Sequence, residues 1–248
     1  METIEIAKDR LLYYQFEGLR EIDHIEHLFT SRIGWNDRNT TGQIARLFNM
    51  PETSRVGLKQ VHGTNIVVID SYGDDLGRIS NLEGDGLITN LPNIILSTGH
   101  ADCVPIYFVD PGKRIVGIAH GGWRGTYGNI TGKMIGRMVD HYGSDIEDII
   151  IGIGPSIGPC CYEVGMDLGN EFKDKFTEFP DILVDRDDRV FLDLWKVNYL
   201  QAKEKGIGGE NIIVPRICTS CNMDKFHSYR GENGTDGRMI AAIGLRDG

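Results

Sequence analysis

The sequence predicts an α+β fold in which helices pack on the outside of mixed β-sheets. Apolar runs typical of strands outnumber the amphipathic stretches typical of helices, and the two kinds follow one another in an irregular order. A regularly wound parallel sheet requires strict alternation of strand and helix, which this order lacks. The length of 248 residues allows one or two domains, and no linker, low-complexity tract or internal repeat divides the chain.

Runs rich in valine and isoleucine, flanked by glycine, proline, aspartate or asparagine, predict the strands of this fold. They are Ile66–Ile69, Ile94–Ser97, Pro105–Val109, Ile115–Ala119, Ile149–Ile153, Ile212–Val214 and Met239–Leu245. The first predicted helix, Ile130–Tyr142, carries its apolar residues on one face and is followed by Gly143, a typical C-terminal stop. A second helix is expected near Met166–Phe176, and a third begins at the N-cap Asp193 and ends at Gly206.

The charge of the chain restricts its partners. Lysine and arginine total 26 against 36 aspartates and glutamates, which gives a formal net charge of −10. Nucleic acid and an anionic membrane surface both require a basic footprint, so neither is expected as the main partner. A small anionic ligand held by a few local arginine or lysine side chains is compatible with this charge.

The cysteine count and the first residues favour a cytoplasmic protein. The first ten residues are charged and lack the apolar core of a secretion signal, and no apolar run reaches the roughly 18 residues of a membrane span. The five cysteines are an odd number, which together with the missing signal favours reduced thiols in the cytoplasm.

Three short segments place a soft or borderline metal ligand beside glycine or proline at predicted strand ends. The segments are Lys59–Gly63, Gly99–Pro105 and Ala119–Gly125. Their candidate ligands are His62, Cys103 and His120. Two imidazoles and one thiolate suit Zn²⁺, and three protein ligands leave the fourth tetrahedral position open for water, as in catalytic sites. Zinc lowers the pKa of such a water to about 7 and so supplies hydroxide at neutral pH.

The spacing of these ligands matches no short zinc motif, and other interpretations stay open. The histidines can be strand-end residues held by backbone groups, with Cys103 a small buried side chain. Cys103 can instead be the nucleophile of a Cys–His hydrolase with His120 as its base. Two histidines and a cysteine also suit copper. The seven histidines include no His-x-His pair, so they do not supply the multi-copper centre of a true laccase.

Several segments together resemble the YfiH-type family. Lys-Gln-Val-His-Gly at 59–63, Ala-Asp-Cys-Val-Pro at 101–105 and His-Gly-Gly-Trp-Arg-Gly-Thr at 120–126 match family motifs. Further matches begin, in the family's order, at Glu83, Ile153, Cys160, Cys218 and Phe226, so that the resemblance spans about residues 57–245. Members of this family carry the names laccase-domain protein, polyphenol oxidase and purine nucleoside phosphorylase.

The resemblance implies one catalytic domain over residues 1–248, folded as a four-layer α/β/β/α sandwich. It implies zinc bound by His62, Cys103 and His120, with copper as the alternative ion. It also implies phosphorolysis of adenosine, inosine and methylthioadenosine, with adenosine deamination as a side activity. The expected partners are therefore purine nucleosides and phosphate. Copper-dependent phenol oxidation, editing of peptidoglycan precursors and a relation to toxin-type cysteine deamidases are attributed to the same family, and a homodimer is left open.

Two departures from the family pattern bear on substrate binding. After Thr30-Ser31-Arg32 family members usually carry a longer Gly-Gly-x-Ser and Asn-Leu-Gly stretch, whereas residues 33–47 are short and different here. Many members also have two consecutive arginines near the C-terminus, whereas Arg230 is followed by Gly231. If the second arginine helps to bind phosphate, this chain must use another group.

Phosphorolysis requires groups that hold phosphate and groups that orient the nucleoside. Arg124 and Arg230 are the phosphate candidates, because guanidinium forks fit phosphate oxygens; the alternative for each is a structural ion pair. Trp123 and Tyr229 are the candidates for stacking on the purine, and the alternative for both is a place in the core.

The candidate proton carriers are Asp102, Asp85 and His227, beside Cys103 as the reactive thiol. A turn-capping carboxylate is the alternative for Asp102. His100, three residues before Cys103, is expected to be hydrogen-bonded or solvent-facing, and the alternative is that it reaches the metal or the substrate.

The remaining cysteines form two pairs along the chain. Cys218-x-x-Cys221 looks like half a zinc site or a redox pair, but without a second such motif it is interpreted as structural thiols. Cys160 and Cys161 are expected to be buried beside the Gly-Pro turn. The leading hypothesis is a zinc-dependent purine nucleoside phosphorylase; a Cys–His hydrolase or amidase, a copper-dependent polyphenol oxidase and a non-catalytic binding protein are the alternatives.

Overall fold

The computed structural model describes residues 3–35 and 39–247. Its strands are β1 Thr3–Lys8, β2 Leu11–Phe16, β3 Ile25–Thr30, β4 Arg55–Val56, β5 Ile66–Ile69, β6 Gly86–Thr89, β7 Ile95–His100, β8 Val104–Asp110, β9 Ile115–Gly121, β10 Ile150–Ile153, β11 Glu163–Val164, β12 Leu183–Arg186, β13 Arg189–Leu192, β14 Ile212–Ile213 and β15 Met239–Leu245. Its α-helices are α1 Glu17–Arg20, α2 Thr40–Phe48, α3 Leu76–Ile79, α4 Trp123–Tyr127, α5 Ile130–Tyr142, α6 Met166–Lys175 and α7 Leu194–Glu204. Among these residues strands outnumber helices, so the predicted α+β class is confirmed.

Two six-stranded mixed sheets form the body of the protein. The first has the order β1-β2-β3-β15-β7-β4 and is antiparallel except where β4 pairs with β7. The second has the order β14-β10-β8-β9-β6-β5. It is antiparallel except at its two edges, where β14 is parallel to β10 and β5 is parallel to β6. The strands β11, β13 and β12 form a small antiparallel sheet of their own, and Leu192 of this sheet packs in the same hydrophobic cluster as Ile106 and Phe108 of the second sheet.

Three hydrophobic clusters show how the layers stack. Leu96 and Ile243 of the first sheet pack with Leu87 and Ile118 of the second sheet, so the two sheets lie face to face. Because successive side chains of a strand point to opposite faces, Ile106 and Phe108 reach the other side of the second sheet and pack against α5 and α7. Helix α2 covers the outer face of the first sheet. The order helix, sheet, sheet, helix is the predicted four-layer sandwich.

Several predicted elements have the expected bounds. Strands β5 and β15 and helix α5 match the prediction residue for residue. Gly143 ends α5 with φ +67°, the left-handed conformation that makes glycine a common C-terminal stop. Asp193 is the N-cap of α7, and its carboxylate accepts a hydrogen bond from the backbone N–H of Lys196.

Other elements escaped the sequence analysis. Strand β1 alternates isoleucine with polar residues, β2 and β3 contain polar side chains within their apolar runs, and β6 is only four residues long. None of the four is therefore a long run of valine and isoleucine of the kind used to predict strands. Helix α2 occupies most of the short segment 33–47, of which residues 36–38 lie outside the described part of the chain. Within the described residues, no helix is both long and apolar enough to cross a lipid bilayer.

Candidate metal centre and its cavity

The structure brings His62, Cys103 and His120 together from three separate segments. Strands β8 and β9 pair with Pro105 opposite His120, which places the turn containing Cys103 beside the end of β9. The candidate ligand atoms of the three side chains all lie within 4.8 Å of one another. We call this group the pocket centre. Its ligands are far apart in the sequence because strand pairing, and not a local motif, assembles them.

The loop that carries His62 is folded around one buried carboxylate. Asp85 is fully buried and accepts hydrogen bonds from the backbone N–H groups of Val61, His62 and Gly63, at 3.3, 3.0 and 2.7 Å. His62 itself has φ +58°, a conformation that non-glycine residues adopt rarely and often at functional sites. Its ring lies 4.9 Å from that of His120, centroid to centroid.

The same carboxylate fixes His120. Strand β6 pairs with β9 so that Asp85, directly before β6, lies beside His120, and its Oδ1 is 2.9 Å from Nδ1 of the imidazole. Burial opposes ionisation of Asp85, but the hydrogen bonds from His120 and from the loop outweigh it and lower the pKa of the carboxyl group. A carboxylate behind a histidine leaves Nε2 as the free ligand atom. The structure thus places Asp85 as a positioning group, and its expected role in proton transfer stays a prediction.

The thiol and the imidazole of the pocket centre influence each other's charge. Burial alone would raise the pKa of Cys103, but His120 and His62 lower it to about 6. Burial alone would lower the pKa of His120, but the Cys103 sulfur and Asp85 raise it to about 9. Between these values the ligand sulfur is a thiolate beside an imidazolium, so the metal-binding form of Cys103 already exists at neutral pH.

A glycine leaves room for an ion between the three ligands. A Cβ atom at Gly122 would lie 2.9 Å from His62 Cδ2 and 3.2 Å from Cys103 Sγ, so any other residue there would crowd both ligands. The soft donor set and this cradle fit Zn²⁺, and they also fit copper. His100 is not a fourth ligand, because Nδ1 lies 3.0 Å from the Cys103 carbonyl and Nε2 lies 2.8 Å from Thr98 Oγ1. It is hydrogen-bonded, as expected.

The pocket centre opens into a cavity of about 670 Å³. Cavities of this size are typical of small-molecule sites. Its lining residues are Gln60, His62, Gly99, Ala101, Asp102, Cys103, His120, Trp123, Arg124, Ile157, Tyr162, Leu194, Tyr229, Arg230 and Arg238. Three arginines in one cavity contrast with the overall negative charge of the chain, and they favour an anionic ligand at this place.

The expected phosphate groups, Arg124 and Arg230, both line the cavity. Arg124 is exposed and its guanidinium lies 4.3 Å from the ring centre of Trp123. Arg230 donates a hydrogen bond to the backbone carbonyl of Glu163, at 2.8 Å. Neither arginine forms an ion pair with a carboxylate of the described residues, so the structural ion pair considered for each is not found there.

The other predicted site residues divide between the cavity and its surroundings. Asp102, with φ +83°, lines the cavity and accepts hydrogen bonds from Thr219 Oγ1 at 2.6 Å and from the backbone N–H of Arg230 at 2.7 Å. Tyr229 also lines the cavity and is 61% exposed. His227 is not among the lining residues; its Nδ1 lies 4.0 Å from a carboxylate oxygen of Glu232. Its expected role as a proton shuttle stays a prediction without support from this placement.

Sequence analysis missed three polar residues of the cavity. Gln60 belongs to the first motif and bridges both backbone groups of Gly99, at 2.7 and 2.9 Å. Tyr162 belongs to the family match that begins at Cys160, so membership of a matching segment was a signal for both. Arg238 lies in no motif, and only its place directly before β15 points to the cavity.

The chain is similar to known bacterial proteins in sequence and in structure. The family model described as multi-copper polyphenol oxidoreductase laccase matches residues 37–246. Purine nucleoside phosphorylase YlmD of Geobacillus stearothermophilus is 37% identical over 217 residues, which cover 84% of this chain and 78% of that protein. A purine nucleoside phosphorylase of Staphylococcus epidermidis is 37% identical over 208 residues, which cover 82% and 77%. The crystal structure of YlmD from Geobacillus stearothermophilus matches with a TM-score of 0.86 at 30% identity, over 98% of this chain and 100% of that one.

Proposed function

The chain belongs to the laccase-like YfiH family, described as multi-copper polyphenol oxidoreductase laccase, and from this premise we propose that it is a zinc-dependent purine nucleoside phosphorylase. One observation carries the proposal: the pocket centre, with a single set of three ligands, shares its cavity with three arginines that have no ion-pair partner among the described residues. The relatives named purine nucleoside phosphorylase support the same reaction class. The proposed substrates are adenosine, inosine and methylthioadenosine, together with phosphate.

His62, Cys103 and His120 would hold the zinc ion. When bound, zinc supplies a Lewis acid that polarises an oxygen and lowers the pKa of water. We assign zinc and not copper because two imidazoles, one thiolate and an open position are the donor set of catalytic zinc sites. The described residues contain one other group of metal-ligating side chains, and it is built from cysteines alone. A multi-copper centre rich in imidazole is therefore not formed by the described residues.

The arginines of the cavity bind the phosphate. Arg124, Arg230 and Arg238 present guanidinium groups to the same space, and charge-assisted hydrogen bonds to phosphate oxygens hold the anion in a fixed orientation. Arg238 takes the part that a second consecutive arginine would play in other family members, since position 231 is a glycine here. In the reaction the bond between C1′ and the purine nitrogen breaks, while a phosphate oxygen forms the new bond to C1′.

The aromatic residues and one carboxylate act on the nucleoside. Trp123 and Tyr229 line the cavity and offer faces on which a purine stacks. The departing base must take up a proton, and Asp102 is the only carboxylic acid among the residues that line the cavity. Its two hydrogen bonds leave lone pairs free, so the carboxylate accepts the proton that dihydrogen phosphate loses as its oxygen bonds to C1′, and passes that proton to the departing purine nitrogen.

A product assay tests the proposal. Adenosine incubated with the purified protein is expected to give free adenine and ribose 1-phosphate in phosphate buffer, and no adenine in a buffer without phosphate. The proposed deaminase side activity predicts inosine in both buffers, because water and not phosphate displaces the amino group. Exposed Arg78 supplies the matched control: Arg78→Ala should keep full activity, whereas Arg124→Ala should need a higher phosphate concentration for the same rate. Adenine formation that is independent of phosphate would contradict the assignment.

A Cys–His hydrolase or amidase is the second candidate function. The observation that favours it is the arrangement of three side chains: the Cys103 thiol lies beside His120, and His120 lies beside Asp85. A nucleophile, its base and the carboxylate that orients the base are arranged in this way. Metal content separates the two functions. If Cys103→Ala abolishes turnover while metal occupancy is unchanged, the sulfur acts as a nucleophile and the zinc proposal fails at this residue. Peptidoglycan precursors are then the substrates to assay.

We also propose a cytoplasmic location, which free cysteines favour.

A further inference from the structure

Four cysteines outside the pocket centre come together on the protein surface. Cys160 and Cys161 lie on the loop after β10, and Cys218 and Cys221 lie on the loop after β14. Their four sulfur atoms all lie within 4.8 Å of one another. We call this group the four-cysteine cluster. The expectation that Cys160 and Cys161 are buried was wrong: Cys160 is exposed and Cys161 is half-buried, because their turn lies at the protein surface.

The distances between the sulfurs are those of one coordination shell. Cys221 Sγ lies 3.5 Å from Cys160 Sγ and 3.4 Å from Cys161 Sγ. A tetrahedral zinc site with Zn–S bonds of about 2.3 Å separates its sulfurs by about 3.8 Å. A disulfide requires an S–S distance of about 2.05 Å, and all four cysteines are free. The sulfur of Cys221 is about equally close to the sulfurs of Cys160 and Cys161. Such an arrangement fits one ion bound by all of them better than a disulfide between two of them.

We propose that the four-cysteine cluster is a closed Zn²⁺ site of four thiolates, separate from the pocket centre. Cys218-x-x-Cys221 supplies two ligands, and Cys160-Cys161 supplies the half that the sequence spacing did not show. Four protein ligands complete the tetrahedron, so the site has no position for water or substrate. Its role is to hold two loops together.

The surroundings of the sulfurs support this assignment. The backbone N–H of Gly158 donates to Cys218 Sγ at 3.3 Å, in the manner by which peptide groups stabilise thiolate ligands. Arg186 donates to the backbone carbonyls of Pro159 and Cys160, at 2.6 and 3.2 Å, and so brings a positive charge beside a site of net negative charge. Four uncoordinated thiols at this spacing, two of them exposed, would instead be prone to oxidation.

The two loops that the ion would join form one wall of the cavity. The loops already meet through a parallel bridge between Ser156 and Cys218. Tyr162, directly after Cys161, lines the cavity, and Thr219, directly after Cys218, donates its hydroxyl hydrogen bond to Asp102. An ion in the four-cysteine cluster would therefore fix the distance between Tyr162 and Asp102 without touching the substrate.

Metal analysis of a double variant isolates this site. His62→Ala/His120→Ala removes two of the three ligands of the pocket centre and leaves all four cysteines of the cluster in place. The full-length double variant, purified under reducing conditions, should retain about one zinc per chain. On this background Cys160→Ser and Cys221→Ser should each lose that zinc, whereas the matched control Ser220→Ala, in the same loop, should keep it. Cobalt in place of zinc should give strong sulfur-to-metal charge-transfer absorption that disappears in the two cysteine variants.

Alkylation of the wild-type protein provides a second measurement that requires no substitution. In alkaline solution the four cluster cysteines should resist iodoacetamide while zinc is bound, and they should react once a strong chelator has removed the zinc. Equal alkylation with and without zinc, together with a metal-free double variant, would overturn the proposal. A disulfide within the cluster in protein purified under reducing conditions, or iron in place of zinc, would overturn it as well. Because this site is independent of the proposed activity, these results stand whether or not adenosine is a substrate.

Discussion

The pocket centre and the four-cysteine cluster use similar ligands in different surroundings. In the pocket centre two imidazoles and one thiol meet beside a cavity. Buried Asp85 contacts His120, and Gly122 has no side chain to crowd the ligands. In the cluster four thiols meet on two surface loops, and none of these four cysteines lines the cavity. Three ligands beside a cavity suit chemistry on a bound molecule, whereas four ligands in a closed shell suit structure.

The two groups also differ in the state of their sulfur. The imidazoles lower the pKa of Cys103 to about 6, although burial opposes this. In the cluster the hydrogen bond that the Cys221 thiol makes to Cys161, together with burial, raises the pKa of Cys221 to about 11, because both favour the protonated sulfur. One ligand sulfur is thus ionised before an ion arrives, and the other becomes ionised only with the ion. The pKa of a cysteine in this protein therefore depends more on the groups beside its sulfur than on how exposed the sulfur is.

The largest expected effect comes from removing the sulfur of the pocket centre. Cys103→Ala should lose the zinc of this centre and reduce kcat/KM for phosphorolysis by about 10³-fold or more, since a metal ion contributes several kcal/mol to charge stabilisation. Zinc in the four-cysteine cluster should be unchanged. Elemental analysis together with steady-state kinetics checks both statements. If the zinc of both sites disappears together, the two sites are not independent and the comparison fails.

A smaller effect is expected from the guanidinium groups that line the cavity beside the pocket centre. Arg124→Ala should raise KM for phosphate by about 10- to 100-fold, because a hydrogen bond to a charged group contributes about 1.5–3 kcal/mol. The zinc content of both sites should stay the same. Phosphate titration at a saturating nucleoside concentration measures the effect, with Arg78→Ala as the control. An unchanged KM for phosphate would exclude Arg124 from the binding site.

Asp85→Asn should weaken only the pocket centre. Loss of the carboxylate behind a metal-binding histidine typically lowers metal affinity by about 10- to 100-fold. The substitution also weakens the hydrogen bonds that shape the His62 loop. Competition with a zinc chelator measures the affinity. Exposed Asp70, which lies 3.0 Å from His141, provides the matched control Asp70→Asn. Equal zinc affinity in both variants would show that Asp85 does not orient His120.

The smallest expected effect is the pH dependence of the cysteine sulfurs in the two groups. Because the pKa of Cys103 is lowered from 9.0 to about 6, its thiolate fraction in metal-free protein should rise as the pH increases through 6. Zinc must also displace the proton of His120, whose pKa is raised to about 9, so zinc binding should weaken as the pH falls below 9 and weaken further below 6. The raised pKa of Cys221 predicts that alkylation of this cysteine begins only in alkaline solution. Alkylation followed by peptide mass analysis at a series of pH values gives both curves. If Cys103 and Cys221 are alkylated over the same pH range, their thiols do not differ in pKa and the distinction drawn between the two groups is wrong.

Much of the fold follows from the sequence because its central elements are regular. Helix α5 has one apolar face and ends at Gly143, and the long apolar runs that became β8 and β9 indicate buried strands. The missed elements lack such signals: β6 has four residues and begins with glycine, and edge strand β1 carries charged side chains. Local periodicity is therefore informative where an element is long and packs on one defined face.

The candidate site is only partly visible in the sequence. His62, Cys103 and His120 were selected through the residues around them, but their convergence depends on the pairing of β8 with β9, which spacing does not encode. The same reason explains the four-cysteine cluster: Cys161 and Cys218 become neighbours through the bridge at Ser156. Arg238 was missed because it belongs to no motif. Contacts between distant segments are set by topology, and one sequence does not show them.

Anomalous diffraction at the zinc edge tests the central claim most directly. Crystals of the full-length protein, purified without added metal under reducing conditions, should show one peak between the imidazoles of His62 and His120 and the sulfur of Cys103. A second peak should lie among the four cysteines, and data at the copper edge should show neither. An empty pocket centre, or a copper peak in its place, would contradict the zinc assignment on which the proposed phosphorolysis depends.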